Sequence, residues 1–500
     1  MVALVLLSAV LTALSMPGML WGYLIWVALI PFFISMKEVT PLKGALKAFV
    51  WGFVYLLITH YWELPVLTVN VPEVLNSFPN FIGIVVYFLM GVVIAVPFLA
   101  FGFIYGLYQR FFERYPVLLS LFAASFFTVT EHLREIGPLG FTNGRLSDAL
   151  LNEQLGIAQL LAVGGPLLLV FIIVFVNHYL SHLFMERTRD RALLIVISVA
   201  FVALANAAMS SFVPIPHSSD KYESTLYALQ TNISMHMKYY QPPDETLRVV
   251  SRALREIPEG SVVILPEATF MSDIRSNSTG SQLQQIASER NLRILVGFPT
   301  YNDNNYNQVR FVDGEGFSDE FYAKVQLTPF VEFLPWPRVF GLFSFLKFLD
   351  YFDPGQQFTI FSVDEHRIGA QICFDSLYSN VSRNLTRNGA TVIVIATNDG
   401  WFNISTALQQ HLSKSIARAI ENRRYVIQVS NTGISAVIDP YGRIVKRLPT
   451  SKELTAEYVV GEFQYLPRVT TTLYTRFGNW FFWFSLLLGI ALIILGGVVL

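Results

Sequence analysis

Three residues in this sequence have the types and placement to do covalent chemistry together. Glu267 ends the run Val-Ile-Leu-Pro, Lys324 follows Glu-Phe-Tyr-Ala, and Cys373 follows Gly-Ala-Gln-Ile. Each stands at or near the end of a β-like run, where a strand delivers a side chain to the rim of a sheet. They lie 57 and 49 residues apart, so only a fold can unite them. A thiol attacks as its thiolate. A carboxylate can take the thiol proton, and an ammonium can stabilise the oxyanion of a tetrahedral intermediate. The set suits acyl transfer through a cysteine without histidine. The eight histidines form no compact metal or triad pattern. Only His411, after Gln409 and Gln410, sits in a suggestive polar segment. Singly, each residue has a plainer reading: a buried structural thiol, a strand-end carboxylate, a solvated hairpin lysine.

The elements that must position them are short β-like runs alternating with helical ones. Strands are expected at Leu226–Gln230, Ser261–Leu265, Leu292–Phe298, Arg367–Cys373, Thr391–Thr397, Val426–Val429 and Ser435–Ile438. Val309–Phe311 and Glu320–Lys324 read as a pair around a Gly-rich turn. Helices are expected at Asp244–Arg255, Gln282–Glu289, Leu377–Asn388 and Ala407–Asn422. This alternation predicts a layered α/β domain whose sheets are covered by helices. No dinucleotide fingerprint and no Walker loop is present. Gly433 and Gly442 read as turn glycines.

That polar domain is only part of a chain of 500 residues with 53% hydrophobic and 14% charged residues and a net charge of -1. Such a balance excludes a disordered chain and shows no basic footprint for nucleic acid. The one cysteine excludes an intrachain disulfide and a cysteine-rich metal site. Of the charged residues, only 20 precede residue 211, and none follows Phe477. Eight apolar stretches stand out, at 2–16, 18–35, 46–64, 80–107, 117–131, 155–181, 192–210 and 478–500, several of them of spanning length. The expected organisation is a seven-span domain at 1–210, a polar domain at 211–475 and a final membrane helix at 476–500. His60, Glu63, Glu131 and His132 fall near span ends, where an interfacial placement is expected. With a cytoplasmic N-terminus, the cytoplasmic loops carry Lys37, Lys43, Lys47, Arg110, Arg114, Arg187, Arg189 and Arg191. The opposite loops before the polar domain carry Arg134 and Arg145. By the positive-inside rule the polar domain then lies outside the cytoplasm.

The polar domain resembles the nitrilase superfamily, whose Glu-Lys-Cys triad matches Leu-Pro-Glu267, Tyr322-Ala-Lys324 and Ile-Cys373-Phe. Over essentially its whole length the chain resembles the apolipoprotein N-acyltransferase family. Lys324-Val-Gln-Leu-Thr-Pro-Phe-Val-Glu332-Phe-Leu-Pro335 matches a family stretch whose essential second glutamate falls on Glu332. Asn398-Asp399-Gly400-Trp401-Phe402, Gln410-His411-Leu412, Arg418-Ala-Ile-Glu421-Asn, Asn431-Thr-Gly-Ile-Ser435 and Phe352-Asp-Pro-Gly355 match others. The chain departs from the family at Phe374 and Asp375, where Tyr and Glu are usual, and at Val331, Asn403 and Tyr239.

The resemblance implies a multi-pass α-helical membrane bundle of eight spans plus an α/β nitrilase-like α-β-β-α sandwich. It implies a bacterial inner (cytoplasmic) membrane protein with the catalytic domain on the periplasmic side. In the reaction it implies, Glu267 deprotonates Cys373, and Lys324 with the Phe374 N–H holds the oxyanion. An acyl chain passes from a phospholipid, usually phosphatidylethanolamine, to a thioester and then to the α-amine of diacylglyceryl-cysteine in an apolipoprotein. Glu332, Phe374, Asp375, Tyr239, Asn398, Trp401, Phe402 and His411 are expected to support the site or position substrate. Neither cofactor nor metal is expected. The aromatic run Trp336–Phe352 reads as a membrane-facing arm that admits lipid, since it would be a costly exposed patch in a soluble enzyme. Two other readings stand beside this one: a membrane-tethered nitrilase-like amidase acting on a small substrate, and an inactive membrane scaffold or transporter.

Overall fold

Helix length decides which apolar stretches can cross a bilayer. The computed structural model describes residues 1–75, 79–185, 189–211, 213–214, 224–240, 243–301, 304–342, 351–403, 405–450 and 457–499. Among these, five helices are long and apolar enough to cross: Pro41–Thr59, Asn80–Phe112, Pro116–Leu133, Leu161–Met185 and Trp480–Gly497. Each of the other three stretches also carries helix. Val2–Leu14 has 13 residues, about 20 Å at 1.5 Å per residue, against a hydrocarbon core of about 30 Å. The second stretch is not one helix: it breaks into Gly22–Leu24, Ile25–Ala28 and Ile30–Ser35. The seventh lies within Arg189–Ser211. So all eight apolar stretches carry helix, and among the described residues five helices are both long and apolar enough to cross.

The chain divides into two units, Met1–Leu64 with Phe81–Ile215 and Thr472–Leu500, and Pro65–Asn80 with Pro216–Thr471. In the first, small residues bring backbones together, as membrane helices favour. A Cβ on Gly102 would lie 2.2 Å from the Gly44 carbonyl oxygen. Around this crossing Trp51 packs against Tyr55, Phe98 and Phe127. Gly165, at φ +67°, breaks the helical path within Leu161–Met185. Near the end of Pro116–Leu133, Glu131 is fully buried within the protein, where two arginines meet it. Arg134 Nη1 lies 3.1 and 2.9 Å from its two oxygens, and Arg145 Nε 3.6 Å away.

The second unit is built on two six-stranded sheets. The first contains β1 (Ser224–Gln230), β2 (Val262–Ile264), β3 (Arg293–Tyr301), β4 (Asn305–Asp313) and β5 (Gly316–Ala323). The second contains β6 (Ile360–Val363), β7 (His366–Ile372), β8 (Val392–Thr397), β9 (Tyr425–Ser430), β10 (Ala436–Ile438) and β11 (Ile444–Arg447). Strand β12 (Val459–Tyr465) returns to pair with β1. The orders are β12-β1-β2-β3-β4-β5 and β11-β10-β9-β8-β7-β6. Each sheet has a parallel trio at its heart, β1-β2-β3 and β7-β8-β9, flanked by antiparallel partners.

Parallel strands need cover on both faces, and the side chains follow. Val262 and Ile264 enter the core between the sheets, where they share a cluster with Ile372, Val394 and Ile427. Val263 and Leu265 face the other way, toward Leu247, Leu254 and Leu283 of helices Pro243–Glu256 and Ser278–Glu289. Helices Ser379–Arg387 and Thr406–Asn422 pack against strands of the second sheet, completing an α-β-β-α sandwich. Each fully buried Val, Leu or Ile contributes about 1.5–3 kcal/mol, so this doubly covered centre is the firmest part of the unit. The strands at the sheet margins, β6, β11 and β12, lie outside the expected set.

Candidate active site

The carboxyl ends of the strands bring the three chemical residues together. The last ladder bond beside β2 is Leu265 N–H to the Leu295 carbonyl, 2.9 Å. Pro266 then has no N–H to continue it, and the chain turns with Ala268 at φ +44°. Gly297 on β3 leaves room for that turn: a Cβ there would sit 2.6 Å from the Pro266 oxygen and 2.8 Å from the Ala268 nitrogen. Glu267 thereby points along the sheet rim. Lys324 directly follows β5, its N–H donating to the Asn307 carbonyl at 2.8 Å. Cys373 directly follows β7 and opens the tight helical turn Cys373–Leu377. Its φ of +45° is costly for a residue with a Cβ, so the surroundings hold the thiol at a sharp elbow.

Lys324 Nζ is the hub of a buried charge cluster. It lies 3.0 Å from Glu267 Oε1 and 2.8 Å from Glu332 Oε2. Asn307 donates from one amide nitrogen to Glu267 Oε1 and Glu332 Oε1, 2.9 Å each. The Asn398 N–H donates to Glu267 Oε2 at 3.1 Å, and the Thr328 N–H to Glu332 Oε2 at 2.8 Å. Burial works against charge on Lys324, but Glu267, Glu332 and Cys373 hold its ammonium well above the ordinary lysine value. Burial likewise works against the Glu332 carboxylate, and Lys324 outweighs it, holding Glu332 low. Burial and Glu267 push the Cys373 thiol well above its ordinary value, with Lys324 opposing them. The resting cysteine therefore favours its thiol form and needs a base, and of the carboxylates that act on it Glu267 acts most strongly.

The supporting residues divide into those that hold this cluster and those beside it. Asp375 ties the Cys373 elbow to the Lys324 turn. It accepts from Val325 N (3.2 Å) and Gln326 N (2.7 Å) with one oxygen, and from Ile372 N (3.1 Å) and the Tyr322 hydroxyl (2.8 Å) with the other. Burial raises it to about 6 despite these donors. Asn398 holds Glu267 and accepts from Asn431 Nδ2 at 3.0 Å. His411 meets Asp399 on one side and Ser376 on the other. Tyr239 and Trp401 pair edge to face at 6.0 Å. Asn70 Nδ2 donates to the Trp401 carbonyl at 2.6 Å, so a segment between two apolar helices supports the Trp401 turn. Phe374 packs on Tyr378 and the inter-sheet core, and Phe402 is half-buried. In the expected arm, Trp336 and Leu342 are exposed and Phe340 packs on Phe330 and Trp336. Residues 343–350 of that arm, and Arg187 among the loop cations, lie outside the described residues.

Sequence reasoning missed Asn307 and Lys238. Asn307 sits in a polar run that reads as loop, and nothing local marks it as the bridge between two carboxylates. Lys238 is buried and donates to the Ala268 carbonyl at 2.9 Å, pinning the left-handed turn after Glu267. Burial pulls it down to about 7, against the pull of Glu267. Gly433 lies in the turn between β9 and β10, as expected, and is also a close-approach position: a Cβ there would lie 2.3 Å from Asp399 Oδ2.

Residues 222–464 match the carbon-nitrogen hydrolase family, and residues 8–179 match the apolipoprotein N-acyltransferase N-terminal domain. A Thermotoga maritima protein named apolipoprotein N-acyltransferase is 41% identical over 97% of this chain and 91% of its own length. The chain belongs to the apolipoprotein N-acyltransferase family. A second member, apolipoprotein N-acyltransferase 1 of Treponema denticola, is 24% identical over 96% of this chain and 93% of its own. Among solved structures, Saccharomyces cerevisiae Nit3 of the nitrilase superfamily is 20% identical, covers 48% of this chain and 89% of its own, with a TM-score of 0.38. The chain is thus an enzyme of an acyltransferase family, with membrane-type helices joined to a nitrilase-like sandwich. The carbon-nitrogen hydrolase match includes Glu267, Lys324 and Cys373.

Proposed function

We propose that this enzyme transfers an acyl chain from a phospholipid to the N-terminal α-amine of diacylglyceryl-cysteine in apolipoproteins, through a thioester on Cys373. The observation that carries the reading is the elbow at Cys373 beside a buried carboxylate–ammonium–carboxylate cluster, in a chain matched along its length by that family. Glu267 takes the thiol proton and the thiolate attacks the sn-1 ester carbonyl of the donor, phosphatidylethanolamine in this reading. Negative charge develops on the carbonyl oxygen, where Lys324 Nζ and the Phe374 N–H stabilise it. The carbon–oxygen bond to glycerol breaks, Glu267 returns the proton to the leaving alkoxide, and a lysophospholipid departs. The neutral α-amine then attacks the thioester, Glu267 accepts its proton, and the intermediate expels the Cys373 thiolate. That thiolate regains a proton from Glu267, leaving an amide and free enzyme. Glu332 and Asn307 keep Lys324 and Glu267 in register through both steps.

The membrane helices suit this substrate. Drawing an acyl chain into water costs about 0.8 kcal/mol per CH₂, so a catalytic domain tethered at a bilayer takes its donor without that cost. The exposed apolar residues Trp336, Val339 and Leu342, which follow closely on Glu332, support a lipid-facing arm. The loop cations favour the periplasmic face of a bacterial inner membrane for this domain, with both termini cytoplasmic. Impermeant labelling of single cysteines in a Cys373→Ala background should reach a Ser276→Cys probe and not a Lys37→Cys probe.

The function is tested by supplying phospholipid labelled in its sn-1 chain together with a diacylglyceryl-cysteinyl peptide. The expected products are lysophospholipid and a peptide carrying the label in an amide. Release of labelled fatty acid with no labelled peptide would point instead to a hydrolase.

A further inference from the structure

Behind the nucleophile elbow lies a buried polar chain that the reaction above does not use. Ser376 Oγ is 2.7 Å from the Cys373 carbonyl oxygen and 2.9 Å from His411 Nε2. His411 Nδ1 is 2.8 Å from Asp399 Oδ1. Asp399 also receives the Thr397 hydroxyl at 3.0 Å and the Ser430 hydroxyl at 3.1 Å. Ser376, His411 and Asp399 are all buried. Gly433 makes the packing possible, since any side chain there would meet the Asp399 carboxylate.

The hydrogen-bond partners of this polar chain favour one charge state. The Cys373 carbonyl can only accept, so the single Ser376 hydroxyl proton goes to it. His411 Nε2 must then donate to Ser376 Oγ. The Ser430 hydroxyl accepts from the Gly433 N–H at 3.0 Å and so donates onward to Asp399. Asp399, met by the Ser430 and Thr397 hydroxyls, is taken as the accepting carboxylate, to which His411 Nδ1 donates; the Thr397 hydroxyl also meets Cys373. Both ring nitrogens carry protons, and His411 is an imidazolium.

We propose that His411 is a positioning residue for Cys373: its positive charge cancels the Asp399 carboxylate, which would otherwise oppose the thiolate, and through Ser376 it fixes the elbow. The electrostatics agree in sign. Asp399 works against ionisation of Cys373. Burial opposes charge on His411, but Asp399 outweighs it and holds His411 above the ordinary histidine value. The other charged groups around the two residues are Glu267, Lys324, Glu332 and Asp375, from the ends of β2, β5 and β7 and the loop after β5. On His411's own helix Arg418 donates to the Ser376 carbonyl at 3.1 Å and pairs with Glu421 at 2.7 Å. Without the imidazolium, Asp399 becomes an uncompensated buried anion near the thiol.

The inference rests on Cys373 being the nucleophile, but its test needs no lipid. Iodoacetamide alkylates thiolates fastest, and Cys373 is the one cysteine, so the mass gained by the whole protein in detergent, less that gained by Cys373→Ala, reports its ionisation. Alkylation rates are measured from about pH 6 to 11. His411→Gln should raise the pH midpoint by about one unit, the scale of a nearby charge. Adding Asp399→Asn to that variant should return the midpoint to the wild-type value or below. A purely packing role would leave the midpoint in place. An unmoved midpoint in His411→Gln, or a double variant displaced as far as the single, would overturn the proposal. If His411→Gln alone fails to fold, the double variant decides: a midpoint above wild type contradicts the charge account. Loss of acyl transfer from lipid with a normal alkylation shift would count against the lipid reading and not against this one.

Discussion

Two buried ion clusters among the described residues, one in each unit, differ in their cations. In the membrane unit, Arg134 makes a bidentate pair with Glu131 and reaches the Asn143 carbonyl at 3.0 Å, while Arg145 pairs with Glu135 at 2.9 Å. Asn479, just before the last helix, donates to Glu135 at 3.1 Å. In the sandwich, one lysine stands between Glu267 and Glu332 with a thiol beyond them. Arginine stays charged and its planar fork locks carboxylates in place, so Arg134 and Arg145 act as a clamp, with His132 Nδ1 also 2.6 Å from Glu135 at its edge. The second cluster is built from groups that can trade protons: a thiol pushed up, a carboxylate that acts on it, and an ammonium held charged by two acids. Burial alone therefore does not mark a catalytic cluster. The presence of an exchangeable proton beside a strained nucleophile does.

Removing a partner from each cluster should separate stability from chemistry. Arg134→Met removes the nearer of Glu131's two arginines and leaves the buried carboxylate only Arg145, 3.6 Å away, a loss of up to about 3–5 kcal/mol. The thermal transition in detergent should fall steeply, while acylation per folded molecule stays within about twofold of wild type. Lys324→Met should do the reverse on the chemical step, losing about 2.7–4 kcal/mol of transition-state stabilisation. Single-turnover lysophospholipid release measures it, and a rate near wild type would remove Lys324 from the oxyanion role.

Smaller effects sharpen the same contrast. Glu332→Gln keeps the shape but loses a charged acceptor of Lys324, costing about 1.5–3 kcal/mol. Following lysophospholipid release and amide formation separately shows which half-reaction carries the loss; normal rates in both would place Glu332 outside the chemistry. Asp375→Asn turns an amide donor toward the Ile372 N–H or Tyr322 hydroxyl, a cost of about 1–3 kcal/mol. Because the folded protein raises Asp375 from 3.8 to about 6, its protonation favours the fold at low pH. That contribution is complete below about 3.8 and is lost as pH rises through about 6. The drop in thermal transition caused by Asp375→Asn should therefore be larger at pH 5 than at pH 8.

What the sequence disclosed follows from what is local. The inner strands β2, β3, β7, β8 and β9 were legible because each is a dense apolar run. The chemical residues were legible because they directly follow such runs. Strand β12 was not, since Val459–Tyr465 is half exposed and gains its place only by pairing with β1, more than 200 residues away. Asn307 and Lys238 were hidden for the same reason: their polar partners come from other strands. The partners of Glu131 were hidden too, because Arg145 reaches it from beyond the end of its helix. Pro65–Asn80 carried no signal that it groups with the sandwich.

The central claim is that Cys373 carries the acyl chain. Intact mass of the purified protein after incubation with phospholipid tests it most directly. Wild type should gain the mass of one fatty acyl group, removable by hydroxylamine, and Cys373→Ala should gain none. An acyl adduct on the alanine variant, or amide formation by it at the wild-type rate, would contradict the account.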